Sequence, residues 1–417
     1  MPARDIALDV LDGCLGLRPR PAESLFEAHA GLKKLDTRDR AFARLLYMTC
    51  LRRMNALDKA LSVHVAKTPK SLTLLNVLRL GAAQLLVLGT PAHAAVKETV
   101  TLARKRVPHG AKMVNAVLRR LSDDPLENVA ETPPWLAASW SDAFGELESR
   151  GIESAHGREP PLDLTCPADR DHWARMLDGE PIGTQTIRLK RHGAIPDLPG
   201  YDEGAWWVQD AAAAALVPLL GDLRDCRVLD IGAAPGGKTA QLCAAGARVT
   251  ALESVEKRAG RLRENMTRLR FSPEIVVDDV TRWSAGKPFD AILLDAPCTA
   301  TGTIRRHPDI LRTRRPGDPK RMSRIQRQMI EAALRQLAPG GRFLYAVCSM
   351  QPEEGPEQFA WVTSRHHDMR PVPIDPATSG DLPVRLAGTG AMRTSPADLA
   401  GRGGMDGFFA ALLQRES

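Results

Sequence analysis

The sequence predicts an α/β protein in which a parallel sheet covered by helices on both faces follows an all-helical part. Three observations carry that prediction. From Gly204 onward, short apolar runs alternate with helical patterns at the spacing of strand–helix–strand units. The stretch CRVLDIGAAPGGKT, Cys226 to Thr239, reads as a strand through Val228, Leu229 and Ile231, a loop holding Gly232, Gly236 and Gly237, and a helix restarting at Thr239. From Ala3 to about Leu121, nearly every segment has helical spacing.

In chain order, IALDVLDGCLGL, RAFARLLYMTCLRRM and LTLLNVLRLGAAQLLVLG read as helices. The last of these is interrupted by Asn76 and Arg79, so a buried helix is expected there and not a membrane span. Thr90 before Pro91 reads as an N-cap for AHAAVKETVTLARKR, and KMVNAVLRRL follows Gly110. Residues from about Ser122 to Trp135, with DDP and PP and no apolar period, read as a linker. Beyond it the signals are mixed, with PLDLTCP and QTIRLKRHG as strands and DRDHWARML as a helix. WWVQDAAAA then opens an apolar helix ahead of the glycine loop. The strands VLDI, RVTALE, EIVV, DAILLDAPC and GRFLYAVCS follow with helices between them, a helix begins near Pro352, and MDGFFAALL supplies a last strand. The expected division is residues 1–125 all-helical, 126–204 linker and small α/β segment, and 205–417 catalytic domain.

The chain has 417 residues and a formal net charge of +7, which suits a polyanionic partner. Arg305, Arg306, Arg312, Arg314, Arg315, Lys320, Arg321, Arg324 and Arg327 face only Asp309 and Asp318 in their segment. Arg104, Lys105, Arg106, Lys112, Arg119 and Arg120 form a second set. Either neutralises phosphates well, and either alone is as readily a solvated helical face. The seven cysteines are scattered with no C-x-x-C pair, so neither zinc nor a disulfide framework is expected. With no signal-peptide pattern, the chain is expected to be cytoplasmic, with no membrane partner.

Two chemistries compete for the glycine loop. Gly232 to Thr239 fits G-x-x-x-x-G-K-T, the phosphate loop of NTPases. The alternative is an S-adenosylmethionine (SAM) cradle. RVTALE ends in Glu253, whose carboxylate can take both ribose hydroxyls of an adenosine, and EIVV ends at Asp278 and Asp279, which suit an adenine amino group. DAPC then places Cys298 at a strand's carboxyl end, where an NTPase has no use for it. Cys348, at the end of GRFLYAVCS, belongs on the same sheet edge, near Asp295. A methyl donor, a basic surface and a thiolate fit methylation of pyrimidine carbon 5. A thiolate adding to carbon 6 makes carbon 5 enamine-like and able to attack a sulfonium methyl. The residues alone favour Cys298, in its Pro-Cys context, as that thiolate.

With these motifs in place, the chain resembles the Sun or RsmB-type RNA cytosine-5 methyltransferases over nearly its whole length. GAAPGGKT, LLDAPCTATGTIRRHPDI and LYAVCSMQPEE stand in the family's order and spacing, flanked by WWVQDAAAA and MDGFFAALL. The resemblance implies a Rossmann-like SAM-dependent methyltransferase domain, an all-α NusB-like N-terminal RNA-binding domain and a small RRM-like middle segment. It implies small-subunit ribosomal RNA as partner, with no required protein partner. It also makes Cys348 the nucleophile, with Cys298 assisting release of the methylated product and Asp295 near base and cofactor. Gly232, Ala233, Ala234, Pro235, Gly236, Gly237, Lys238, Glu253, Asp279 and Asp295 match its SAM-binding positions. Arg305, Arg306 and His307 fall in a loop expected to contact RNA. Four positions depart from the family pattern: Val347 stands where a threonine usually precedes the nucleophile, Ile231 and Gly232 where the family often has a larger residue and cysteine, and Glu253 where aspartate is common. None removes a reacting group. The alternatives are an NTPase that binds ATP through magnesium and Lys238, and a catalytically silent rRNA-binding assembly factor.

Overall fold

The computed structural model describes residues 2–65, 67–122, 125–190 and 193–417. Asp123 and Asp124 of the expected linker, and Arg191 and His192 at the end of QTIRLKRHG, lie outside the described residues. The chain forms two compact units, residues 1–138 with 306–315, and residues 139–305 with 316–417.

The first unit is helical, with helices at Pro2–Leu15, Ala22–Glu27, Thr37–Arg52, Met54–His64, Leu72–Leu86, Ala92–Arg106 and Ala111–Leu121 around one apolar core. The last of these buries Ala111, Val114, Val117, Leu118 and Leu121, a stripe at three- and four-residue spacing that commits one face to the core. Asn76 and Arg79, the polar interruptions of Leu72–Leu86, are buried and paired. Asn76 donates to Asp12 at 2.7 Å, and Arg79 grips Asp58 through two bonds of 2.7 and 2.6 Å. Among the described residues, no helix is long and apolar enough to cross a membrane. The expected N-cap at Thr90 is corrected. The helix begins at Ala92 behind Pro91 with no side-chain cap, while the Thr90 N–H closes the preceding helix by donating to the Gln84 carbonyl at 2.9 Å.

The periodicity left unassigned the helical residues of Pro134–Phe144, a helix that runs from the first unit into the second, and of Glu146–His156 beyond Gly145. A small antiparallel sheet follows, built from β1 (Leu162–Thr165), β2 (Glu180–Ile182), β3 (Thr186–Leu189) and β4 (Trp207–Val208) in the order β2-β3-β1-β4. Its edge strand β4 comes from WWVQD, the segment expected to open the catalytic helix. Asp210 does cap the helix Ala211–Ala214, through a bond from the Ala212 N–H.

The large sheet contains β5 (Arg227–Ile231), β6 (Arg248–Leu252), β7 (Glu274–Val276), β8 (Phe289–Asp295), β9 (Leu337–Val347), β10 (Met369–Pro371), β11 (Arg385–Leu386), β12 (Ala391–Arg393) and β13 (Phe409–Arg415). Its order is β11-β12-β13-β9-β8-β5-β6-β7, with β10 also on β13. The five strands from β7 to β9 are parallel, as expected, but β10 to β13 pair antiparallel, so the sheet is mixed. A continuous apolar run reports burial on both faces and carries no strand direction. That double burial is direct here. Leu293, Leu344, Ala346, Ala410 and Leu412 enter one core, and Ile292, Leu294, Phe343, Tyr345, Ala411 and Leu413 enter the other. Strand order reverses beside β5, and this puts the loops after β5, β6, β7, β8 and β9 on one edge.

Candidate active site

The loop after β5 is folded against β8. Gly232 has φ +79°, and a Cβ there would lie 2.5 Å from the Asp295 carbonyl oxygen, so no side chain fits without displacing the strand end. Its N–H donates to the Leu252 carbonyl at 2.9 Å. The Ala234 and Pro235 carbonyls accept from Arg258 and Asn265, at 2.7 and 2.8 Å. Lys238 Nζ lies 2.7 Å from Asp295 Oδ2. Burial works against the ammonium, but Asp295 outweighs it, helped by Cys348 and Asp230, and the lysine's pKa stands above its ordinary value. Below it, Thr239 donates to the fully buried Asp230 at 2.5 Å.

A cavity of about 440 Å³ opens at this edge. It is lined by Gly232, Glu253, Asp279, Asp295, Cys298 and Cys348, six of the residues expected at the site. Ala233, Ala234, Pro235, Gly236, Gly237 and Lys238 do not line it. They form the loop's frame, and Lys238 reaches the cavity wall only through Asp295. Residues that motif reasoning missed also line it, among them Arg258, Thr281, Gln328 and Met329. Arg258 and Gln328 belong to helices whose charge pattern looks like any solvated face.

Glu253 is the buried acid of this cavity, 1% exposed. Its Oε1 accepts the Val255 N–H at 3.1 Å, while Oε2 makes no hydrogen bond among the described residues and lies 3.5 Å from Arg258. A buried acceptor facing a cavity is matched by a hydroxyl donor on a ligand, as on the ribose diol of SAM. Asp279 accepts from both the N–H and the hydroxyl of Thr281, at 2.9 and 2.8 Å, and these bonds hold its pKa below the ordinary carboxylate range. The residues present fit SAM.

At the other end of the cavity the two sulfurs, fifty residues apart in sequence, are 3.4 Å apart. Strand register explains this: Asp295 of β8 stands opposite Ala346 of β9, and each strand then turns into its cysteine. The hydrogen bond to Cys348, burial and the charge of Cys348 push the Cys298 thiol well above its ordinary pKa.

The two basic sets look different in three dimensions. Arg305 is 1% exposed and donates to Asp210 and Asp406 at 3.0 and 3.2 Å, so it is an internal clamp whose guanidinium is not presented to solvent, in contrast to the expected surface contact. His307 is pushed down to about 4, by burial and then by Arg306, and is uncharged near neutral pH. Arg312 is buried against Glu131 and the Leu51 carbonyl within the first unit. In the second set, Lys105 pairs with Asp5 and Arg106 with Asp9, at 2.8 and 2.5 Å. Arg104 and Arg119 line a surface groove with His93 and Lys97.

A glycine loop at a switch point, a buried acid on the next strand and a cysteine pair on the far side define a class, the Rossmann-like methyltransferases that carry a helical N-terminal domain. Comparisons with known proteins narrow it. Residues 217–414 match the family model described as 16S rRNA methyltransferase RsmB/F, and residues 1–123 match that of the NusB family. Ribosomal RNA small subunit methyltransferase B of Xanthomonas campestris is 36% identical over 410 residues, covering 92% of this chain and 90% of its own. The chain belongs to the RsmB/F methyltransferase family. The crystal structure of PH0851 has the same fold, with a TM-score of 0.81 at 22% identity and coverage of 100% and 99% of the two chains. That of NSun6 from Pyrococcus horikoshii with SFG shares it at 0.59 and 18% identity, over 70% of this chain and 100% of the other.

Proposed function

We propose that this protein methylates carbon 5 of a cytosine in small-subunit ribosomal RNA, through a covalent adduct on Cys348. The observation that carries the proposal is the pair of sulfurs 3.4 Å apart at one end of a cavity whose other end holds Glu253 and Asp279. Glu253 would hold the ribose of SAM and Asp279 its adenine, and when bound the cofactor supplies an electrophilic methyl group. The target base must leave any helical stack to enter the cavity.

Chemistry divides between the two thiols. The Lys238 ammonium, held by Asp295, places positive charge near Cys348, the sulfur proposed to attack carbon 6. The two sulfurs share a hydrogen bond at 3.4 Å. Cys348 adds to carbon 6, carbon 5 takes the methyl group, and Cys348 is now a thioether. As a thioether Cys348 carries no charge and has no proton to share, so its hold on the Cys298 proton weakens. Cys298 loses its proton to solvent, takes the proton from carbon 5, and the Cys348 thiolate is eliminated. The net products are methylated base, demethylated cofactor and one proton.

The NTPase alternative needs Lys238 directed at phosphate, whereas here its ammonium is committed to Asp295. The test is methyl transfer from labelled SAM to unmodified small-subunit rRNA. Cys348→Ala should be inactive, and Cys298→Ala should stall as a covalent RNA adduct. Adduct accumulation in Cys348→Ala with an inactive Cys298→Ala would exchange the two roles. No transfer by wild type to any RNA would overturn the proposal.

A further inference from the structure

Glu354 lies in the motif LYAVCSMQPEE, six residues beyond Cys348, and it is fully buried. A buried carboxylate needs donors, and this one has four. Oε1 accepts the Thr299 N–H at 2.9 Å and Gln326 Nε2 at 3.1 Å. Oε2 accepts the Ser349 hydroxyl at 2.5 Å and the Thr299 hydroxyl. Thr299 follows Cys298 directly, and Ser349 follows Cys348 directly. One side chain therefore ties the residue after each cysteine to a common point.

The surrounding bonds reinforce this tie. The Thr299 and Ser349 hydroxyls are 3.1 Å apart, and the Gly302 N–H donates to the Cys348 carbonyl at 3.0 Å. Gln326 Nε2 also donates to the Pro297 carbonyl at 3.0 Å, just before Cys298. The Tyr345 hydroxyl holds the Glu354 carbonyl at 2.6 Å and fixes the backbone from which the carboxylate projects. Strand pairing ends at Asp295 and Ala346. Beyond that point the two loops are joined by the Gly302–Cys348 backbone bond and by the hydrogen bonds gathered on the Glu354 carboxylate.

We propose that Glu354 is a positioning residue, which clips the Cys298 and Cys348 loops together through its hydrogen bonds and sets the approach of the two sulfurs. Its importance for catalysis rests on the two-cysteine chemistry above. The geometry does not depend on that chemistry, and it can be read separately.

The separate readout is oxidation. With diamide, two thiols become one disulfide while the azo bond is reduced to a hydrazine. At 3.4 Å the sulfurs need only a small approach to reach the ~2.05 Å of a disulfide. The rate at which a Cys298–Cys348 disulfide appears, followed by peptide mapping, therefore reports the clip. Glu354→Ala should slow it by ~10- to 100-fold, the range expected for a misplacement near 1 Å. Glu354→Gln keeps the acceptor for Thr299 N–H and Gln326, and its amide can donate to the two hydroxyls, so it should stay nearer the wild-type rate. Single-turnover methyl transfer should follow the same order. If Glu354→Ala fails to fold, the double variant Thr299→Val/Ser349→Ala cuts the hydroxyl ties and leaves the carboxylate, and it should slow both reactions in the same direction.

A folded Glu354→Ala that forms the disulfide at the wild-type rate overturns the proposal. So does a Glu354→Gln as defective in methyl transfer as Glu354→Ala while its disulfide forms normally, because the carboxylate would then act chemically. Slow oxidation of Glu354→Ala, alongside a wild type that methylates no cytosine, supports the clip and overturns only the reaction assigned to it.

Discussion

Lys238→Met tests the ion pair on which the site's electrostatics rest. Methionine keeps the length of the side chain and its packing over the Phe408 ring, whose centroid lies 5.4 Å from the ammonium, and removes only the charge. At 2.7 Å the gross attraction to Asp295 is about 6 kcal/mol at an effective dielectric of 20. Desolvation of both ions offsets much of that. Truncating one partner of a fully buried pair costs about 3–5 kcal/mol. Lys238 is 11% exposed but Asp295 is 30% exposed, and water at Asp295 takes up part of the loss, so a destabilisation of about 2–3 kcal/mol is expected. Urea denaturation of wild type, Lys238→Met, Asp295→Asn and the double variant gives the pair's coupling energy. SAM binding should survive Lys238→Met within about tenfold, since the lysine does not line the cavity, while methyl transfer falls because the positive charge beside Cys348 is gone. A coupling energy near zero would refute the electrostatic argument. Magnesium-dependent ATP binding lost in Lys238→Met would return the loop to phosphate chemistry.

Other predictions follow from single buried groups. Glu253→Gln keeps shape and removes charge, and it should weaken SAM binding by ~10- to 100-fold in titration calorimetry, the equivalent of one or two charged hydrogen bonds; unchanged affinity would remove Glu253 from the ribose site. Arg305→Met leaves Asp210 and Asp406 buried without their shared cation, so it should cost about 3–5 kcal/mol in urea denaturation and leave the salt dependence of RNA binding unchanged. A reduced salt slope would return Arg305 to the RNA surface. Asp230 is pushed up to about 6 by burial, against an ordinary value of 3.8. The folded state therefore binds the proton more tightly than the unfolded chain, and stability from this group is lost as pH rises from about 4 through 6. Asp230→Asn should flatten that segment of the stability–pH curve by about 1–3 kcal/mol, and an unchanged slope would show that another group titrates there.

What the sequence discloses depends on whether a feature repeats along the chain. The helices of the first unit and the strands β5, β6, β8 and β9 were legible because each packs a periodic apolar face, and periodicity survives in one dimension. Strand direction was not, and the antiparallel β13 reads like any other doubly buried strand. The helical residues from Pro134 to His156 were obscured by SWSDAFGELESR, where Gly145 interrupts two short faces of mixed polarity. At the site, Gly232, Glu253, Asp279, Asp295, Cys298 and Cys348 could be singled out because each stands at the end of a strand, and strand ends converge.

Charges behaved in the opposite way. Counting neighbours in sequence made Arg305, Arg312, Lys105 and Arg106 look unopposed, yet their partners lie 95 or more residues away for Arg305, and at Glu131, Asp5 and Asp9 for the others. A carboxylate pairs with whatever the fold brings within about 3 Å, so local charge counts say nothing about a cation that is buried. The same reason concealed Glu354. In the sequence it is the second acid of a polar PEE turn, a composition expected on any surface. Only the fold shows that its four donors come from Thr299, Gln326 and Ser349, and that two of those residues adjoin Cys298 and Cys348. The two cysteines were therefore easier to find than the buried carboxylate that bonds to the residue after each of them. A motif preserves the order of residues along the chain, whereas positioning depends on which separated segments a buried polar group must satisfy.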